Sequence, residues 1–122
     1  MNTVTLGEIE SRFAEIIWQN EPIASRELVP LCEKEFGWKK STTYTVLKRL
    51  VDKGIFLNRD GTVTSLISRE ELNVAQTEQI IEEKFHGSLP SFLVAFTRKN
   101  RLSESDIEEI RRIIEESRDG SC

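Results

Sequence analysis

The sequence predicts a mainly α-helical fold with one small β-hairpin, and three observations predict it. Trp38–Gly54, reading WKKSTTYTVLKRLVDKG, has helical spacing of Val46, Leu47, Leu50 and Val51. Ile55–Ile67 then becomes rich in β-branched residues around Asp60-Gly61, a strong hairpin signal. From Ser68 onward the period returns to helical in three segments. Helices, a hairpin and more helices in that order describe a winged helix-turn-helix followed by a C-terminal helical dimerisation module. The expected division is 1–67 for the winged helix and 68–122 for the helical module.

In chain order, Leu6, Ile9, Phe13, Ile16 and Ile17 set the inner face of a first helix. Thr5 with Glu8 fits a capping box at its start. Trp18 closes that helix as a packing residue, and Asn20-Glu21-Pro22 breaks it. Ile23-Ala24 is a short apolar link or strand. Ser25 is the expected N-cap of a second helix to Phe36, with Leu28, Leu31, Cys32 and Phe36 inside. Pro30 removes one helical hydrogen bond, so a bend or a late start is expected there. Phe36-Gly37-Trp38 makes the turn into the third helix, which Ser41 and Thr42 are expected to cap and Gly54 to end. Ile55-Phe56-Leu57 and Thr62–Ile67 are the hairpin strands.

The third helix carries the chemistry. Its wet face shows Lys40, Ser41, Thr42, Tyr44, Thr45, Lys48 and Arg49, which are hydroxyls, one aromatic and three cations. Such groups bind phosphate oxygens and base edges, although the same face would also suit a plain solvated helix. Charge distribution favours the first reading. The net charge of −4 comes wholly from residues 68–122, with eight Lys/Arg against twelve Asp/Glu, while residues 1–67 balance at nine each. Trp38–Gly54 alone has five cations and one acid. A locally basic helix in a neutral or acidic chain suits a DNA contact better than general polyanion binding.

The helical module begins at Ser68-Arg69-Glu70-Glu71, another capping box, with a long helix to about Phe85. His86-Gly87 interrupts it. A strongly apolar helix follows from Ser88 to Lys99, then a basic connector and a last helix that Ser103 caps with Asp106. Leu72, Ile80, Leu89, Phe92, Leu93, Phe96, Ile107, Ile110 and Ile114 are more apolar positions than an isolated segment of about 55 residues can hide, the small-domain problem. A second copy of the chain is the expected cover, with docking on the N-terminal core as the alternative.

Other classes are constrained. With 38% hydrophobic and 31% charged residues the chain is globular, and no apolar run approaches a membrane span, so no membrane insertion and a cytoplasmic location are expected. Cys32, Cys122 and His86 assemble no metal set, and no cofactor is expected. Cys32 reads as a small apolar residue. One histidine, no Gly-rich phosphate loop and no nucleophile motif leave no candidate reaction.

The chain resembles the penicillinase-repressor (BlaI/MecI/CopY-type) family of transcriptional regulators over about residues 4–117. The resemblance is carried by LGEIESRFAEIIW, GWKKSTTYTVLKRLVDKGI, SREE, FHGSLPSFLVAF and LSESDIEEIRRIIEE in that order. It implies a dimeric repressor on a pseudo-palindromic double-stranded operator, with the recognition helix in the major groove and no enzyme activity. Lys40, Ser41, Thr42, Thr45 and Arg49 match the family's DNA-facing positions. Thr42, Thr45 and Arg49 are expected to position the protein, and Lys40, Ser41, Thr43 or Tyr44 to help select sequence. Lys48 and the wing's Arg59 would add phosphate contacts. The wing departs from the family by being short and lacking its Gly-Arg and aromatic alternation. Only Cys122 stands where the copper-responsive branch has a CxCxxxxCxC hook, so copper sensing by that route is not implied. In the β-lactam branch a membrane sensor protease is a partner and an Asn-Phe bond is cut. The matching bond here is Ala95–Phe96, where Phe96 serves equally as dimer core. The competing reading is a winged-helix protein-interaction module without specific DNA binding.

Overall fold

A computed structural model describes residues 6–118. Nine elements follow in order: α1 (Glu8–Asn20), β1 (Ile23–Ala24), α2 (Ser25–Phe36), α3 (Lys40–Asp52), β2 (Phe56–Arg59), β3 (Thr62–Ser65), α4 (Arg69–Phe85), α5 (Leu89–Lys99) and α6 (Glu104–Arg118). Among these residues the fold is mainly α with a small antiparallel sheet of order β1-β3-β2, a winged helix-turn-helix. The expected hairpin is present, and β1 adds a third strand by pairing Ile23 with Val63 and Ala24 with Thr62. Asp60 and Gly61 both have positive φ, 53° and 85°, as a two-residue turn of the I′ type requires. The Asn58 side-chain oxygen accepts the Gly61 N–H at 3.1 Å.

The described residues form two compact units, divided after Ile80 inside α4. The core of the first joins Phe13, Ala14 and Ile17 of α1, Leu28 and Cys32 of α2, Val46, Leu47 and Leu50 of α3, and Ile55, Phe56 and Val63 at the hairpin. Trp18 is a packing residue. Its ring lies 5.5 Å from that of Phe56, and its indole N–H donates to the Ile67 carbonyl at 3.1 Å. Trp38 packs on Phe36 and Phe13.

Several local expectations are corrected. The Thr5–Glu8 box lies partly outside the described residues. The helix instead starts at Glu8 behind Gly7, whose N–H donates to Glu10. Ile9 is exposed, because the buried stripe passes through Phe13, Ala14 and Ile17. Ser25 is the first residue of α2 and not its cap: Ala24 holds the capping position without a side-chain bond, and the Ser25 N–H donates to the Gly61 carbonyl at 2.7 Å. The α2 helix does not begin late. It passes through Pro30, which lies on the exposed side, where the lost backbone bond faces solvent. Ser41 and Thr42 fall inside α3, and Lys39 is the capping position without a side-chain bond.

The capping expectations at Ser68 and Ser103 agree with the geometry, and Ser88, expected as the first residue of its helix, is a further cap. Ser68 Oγ accepts the Glu71 N–H at 3.0 Å while Glu71 accepts the Ser68 N–H at 2.9 Å, a complete box. Ser88 Oγ accepts the Ser91 N–H and Ser103 Oγ accepts the Asp106 N–H. His86 and Gly87 both take positive φ where α4 stops. The Phe85, Phe92 and Phe96 rings then pack in succession within the second unit.

Candidate nucleic-acid interface

The third helix is held by its inner stripe and offers the opposite face to solvent. Thr43, Val46, Leu47 and Leu50 are buried, at i, i+3, i+4 and i+7. Lys40, Ser41, Thr42, Thr45, Lys48 and Arg49 are all exposed. Tyr44 is half-buried against the core. Thr43 is a correction: it has no exposed surface, and its hydroxyl donates to the Lys39 carbonyl at 3.4 Å, so it cannot reach a base. It also hydrogen-bonds Cys32, whose thiol pKa is raised by burial, an effect this bond only partly offsets. A thiol held in its neutral form fits the small-apolar-residue reading of Cys32.

The face is less basic than the residue count suggests. Lys48 pairs with Asp52 one turn on, at 3.2 Å and fully in solvent, a contact of little energetic weight. Arg49 and Lys53 both reach Glu10 of α1, at 3.2 and 3.4 Å. Among the described residues, Lys39, Lys40 and Arg59 make no ion pair, and all three are exposed. Thr45 Oγ donates to the Ser41 carbonyl at 2.8 Å, leaving its acceptor lone pairs outward. Arg59 closes the wing beside Asp60 and pairs across the sheet with Thr62.

Glu10 is the residue that sequence reading missed. Glu10, Phe13, Ala14 and Ile17 share helical spacing, which puts this carboxylate on the core side of α1. An acid on an inward stripe requires a cation or donors, and that spacing was the available signal. Its side chain is 14% exposed. Burial alone would push its pKa up. The Gly7 N–H, Arg49 and Lys53 outweigh burial, and the net shift is below the ordinary 4.5. A carboxylate depressed by folding contributes stability above its unfolded value, lost as pH falls through the folded one. The acid limb of the unfolding midpoint, below about pH 4.5, is therefore expected to flatten in Glu10→Gln relative to the parent. Superimposable limbs would show that Glu10 adds nothing to acid sensitivity.

Comparison with known proteins extends this geometry. A family model described as "Penicillinase repressor" matches residues 6–116. The chain belongs to the penicillinase repressor family. It is 26% identical over 117 residues to the methicillin resistance regulatory protein MecI of Staphylococcus aureus strain Mu50, covering 92% of this chain and 94% of that one. It is 25% identical over 115 residues to the penicillinase repressor of Bacillus licheniformis, covering 91% and 90%. An uncharacterized 16.5 kDa protein of Latilactobacillus sakei is 26% identical over 117 residues, covering 93% of this chain and 79% of that one. This penicillinase repressor family is one of transcriptional repressors, which are not enzymes. Among the described residues, no helix is long and apolar enough to cross a membrane.

The second half of this family member contains a different kind of surface. Helices α5 and α6 hold no buried residue. Ile80, Leu89, Phe96 and Ile114 are exposed, and Phe92, Leu93, Ile107 and Ile110 are half-buried. Ile113, expected on the apolar face of the last helix, is 59% exposed, and Val94, which the sequence reading did not single out, is 53% exposed. Leu102, Ile107, Ile110, Arg111 and Ile114 line an apolar groove of about 220 Å³. Leu72 is a correction: it is 3% exposed, in the core of the first unit, and cannot serve an interface. Ala95–Phe96 lies inside α5, so a protease could reach that bond only after the helix opens locally.

Proposed function

We propose that this chain is a dimeric transcriptional repressor that reads a pseudo-palindromic operator with α3 in the major groove. The observation that carries the reading is the outward face of α3. Lys40, Ser41, Thr42, Thr45, Lys48 and Arg49 are exposed together, and the first acid in that helix is Asp52 in its last position. Hydroxyls and backbone-reaching cations on one exposed helix are the groups that position a helix on phosphates and read base edges. Family membership supports the repressor role. The uncovered apolar faces of α5 and α6 support a second copy of the chain, which would also provide the two-fold symmetry that a palindrome matches.

In this reading Lys40, Ser41 and Thr42 enter the groove first, at the N-terminal end of α3. Thr45 and Arg49 follow one and two turns later. Lys39 joins Lys48 and Arg59 as a phosphate contact. The chain acts in the cytoplasm, where the operator is. Relief of repression by a membrane sensor protease system acting at Ala95–Phe96 would need α5 to unwind there first.

Footprinting on the DNA upstream of the chain's own gene, with mass measured in solution, tests the proposal. A protected site with two-fold symmetry and a dimeric mass are expected. A monomer with diffuse protection would instead favour a winged-helix interaction module. Within a footprinted site, Arg49→Ala should weaken binding to all sequences nearly equally and reduce the salt slope by about one, if it holds phosphate. A loss of about 1–3 kcal/mol confined to particular sites would assign it to a guanine.

A further inference from the structure

We propose that Glu10 is a positioning and specificity-determining residue: it fixes the orientation of Arg49 and lowers the charge that the α3 face offers to arbitrary DNA. The inference rests on the DNA-binding reading above and goes beyond it, because Glu10 lies on α1 and is not itself a contact residue. One carboxylate serves three groups on two elements. Oε1 accepts from the Gly7 backbone and lies 3.4 Å from Lys53 Nζ, and Oε2 accepts from Arg49 Nη1 at 3.2 Å. The Glu10 side chain is largely covered, whereas 52% of the Arg49 side chain remains in solvent. Among the described residues, Arg49 is thus anchored at Nη1 with about half of its side chain in solvent.

A guanidinium has five N–H donors in a rigid fork. Glu10 uses donor capacity at Nη1 and leaves Nε and Nη2 for acceptors on the operator. Anchoring removes rotamer freedom that Arg49 would otherwise lose on binding, which favours the one geometry the anchor permits. The same contact partly cancels two cations of the face. Loose electrostatic binding to any duplex depends on that charge, while a docked complex also depends on the orientation of each donor. Glu10 therefore favours the operator over other DNA from both directions. Burial by itself would oppose a charged Glu10, and the carboxylate is nonetheless held ionised by these partners.

Two substitutions separate orientation from charge. Glu10→Gln keeps the shape and an acceptor for the Gly7 N–H but removes the charge. Glu10→Asp keeps the charge but shortens the reach to Arg49. Affinity of the full chain for a footprinted operator and for an unrelated duplex of equal length is measured across a salt series, with a thermal melt for each variant. Glu10→Gln is expected to raise affinity for the unrelated duplex severalfold and steepen its salt slope by up to about 0.9. Its ratio of operator to unrelated affinity should fall by roughly fivefold or more, the lower end of the scale of one oriented contact in DNA recognition. Glu10→Asp should lower the ratio without steepening the slope. In an Arg49→Ala, Lys53→Ala background, neither change should alter the ratio. A ratio unchanged in both single variants, or a fall that persists in the double background, would overturn the assignment. If the parent chain itself selects no operator, it is the repressor reading that fails.

Discussion

Replacing Ile114 by Asp is expected to halve the mass of the protein in solution and to weaken operator binding by at least about a hundredfold. The exposed position of the side chain makes the test selective. Ile114 is 52% exposed in a single chain and sits beside the apolar groove of α6, so an Asp there displaces no core packing. Within a lone chain the change costs only a helix-propensity and dipole penalty, of the order of 1 kcal/mol. Against a second copy the same carboxylate would be buried without a partner, which interfaces tolerate poorly. Loss of the dimer converts a two-site engagement into two independent ones. Linking two modules multiplies avidity by about 10²–10⁴, and that factor is what the variant should forfeit. Sedimentation or light scattering reads the mass, and a binding isotherm on the operator reads the affinity. Ile110→Asp, in the same groove, should behave alike. Unchanged mass in both variants would remove α6 from the interface.

The contrast between the two units explains what could be read from the sequence. Periodicity located all six helices and the hairpin, because each depends on short-range signals: apolar spacing, caps at Ser68 and Ser103, and the Asp60-Gly61 turn. Failures arose where tertiary placement decides. Thr43 looked like one more hydroxyl on a hydroxyl-rich face. Its phase, three residues before Val46 and four before Leu47, puts it on the inner stripe, and the stripe prevailed over residue type. Leu72 shared the period of a helix read as wholly C-terminal, but that helix starts against the first unit's core. Ser25 had the chemistry of a cap, yet α2 already includes it as its first residue, with Ala24 at the capping position.

The candidate site was legible as a set of residues and not as a circuit. Lys40, Ser41, Thr42, Thr45, Lys48 and Arg49 are exposed on one helix, which spacing alone foretold. That Arg49 and Lys53 are tied to Glu10, separated by 39 and 43 residues along the chain, depends on how α1 crosses α3. A local charge count of five cations against one acid overstates the field because the counter-charge of Arg49 and Lys53 comes from another element. Charge balance along a sequence window describes a surface only when the window's neighbours in space are its neighbours in sequence.

The second large effect concerns where the DNA-binding unit ends. A fragment of residues 1–67, the division that hydrophobic period suggests, is expected to be less stable than a fragment of residues 1–80 by about 3–5 kcal/mol. The difference lies in the first part of α4. Leu72 is nearly fully buried with the first unit's core, and removing a buried leucine side chain costs about 2–5 kcal/mol. Arg69 adds an ion pair with Glu15, Nε donating at 2.7 Å, and its guanidinium lies 5.8 Å from the Trp18 ring centre. Those contacts cover Trp18, whose indole N–H is bonded to the Ile67 carbonyl at the very end of the shorter fragment. Against a typical stability of about 5–15 kcal/mol for a domain, losing several leaves the shorter fragment close to unfolding. Urea denaturation of both fragments measures the difference, and Leu72→Ala in the full chain should reproduce at least about 2 kcal/mol of it. Equal midpoints with equal slopes would place the boundary before α4. A higher midpoint for the longer fragment would make the start of α4 a structural part of the winged helix, so that any link between the two units begins beyond Ile80.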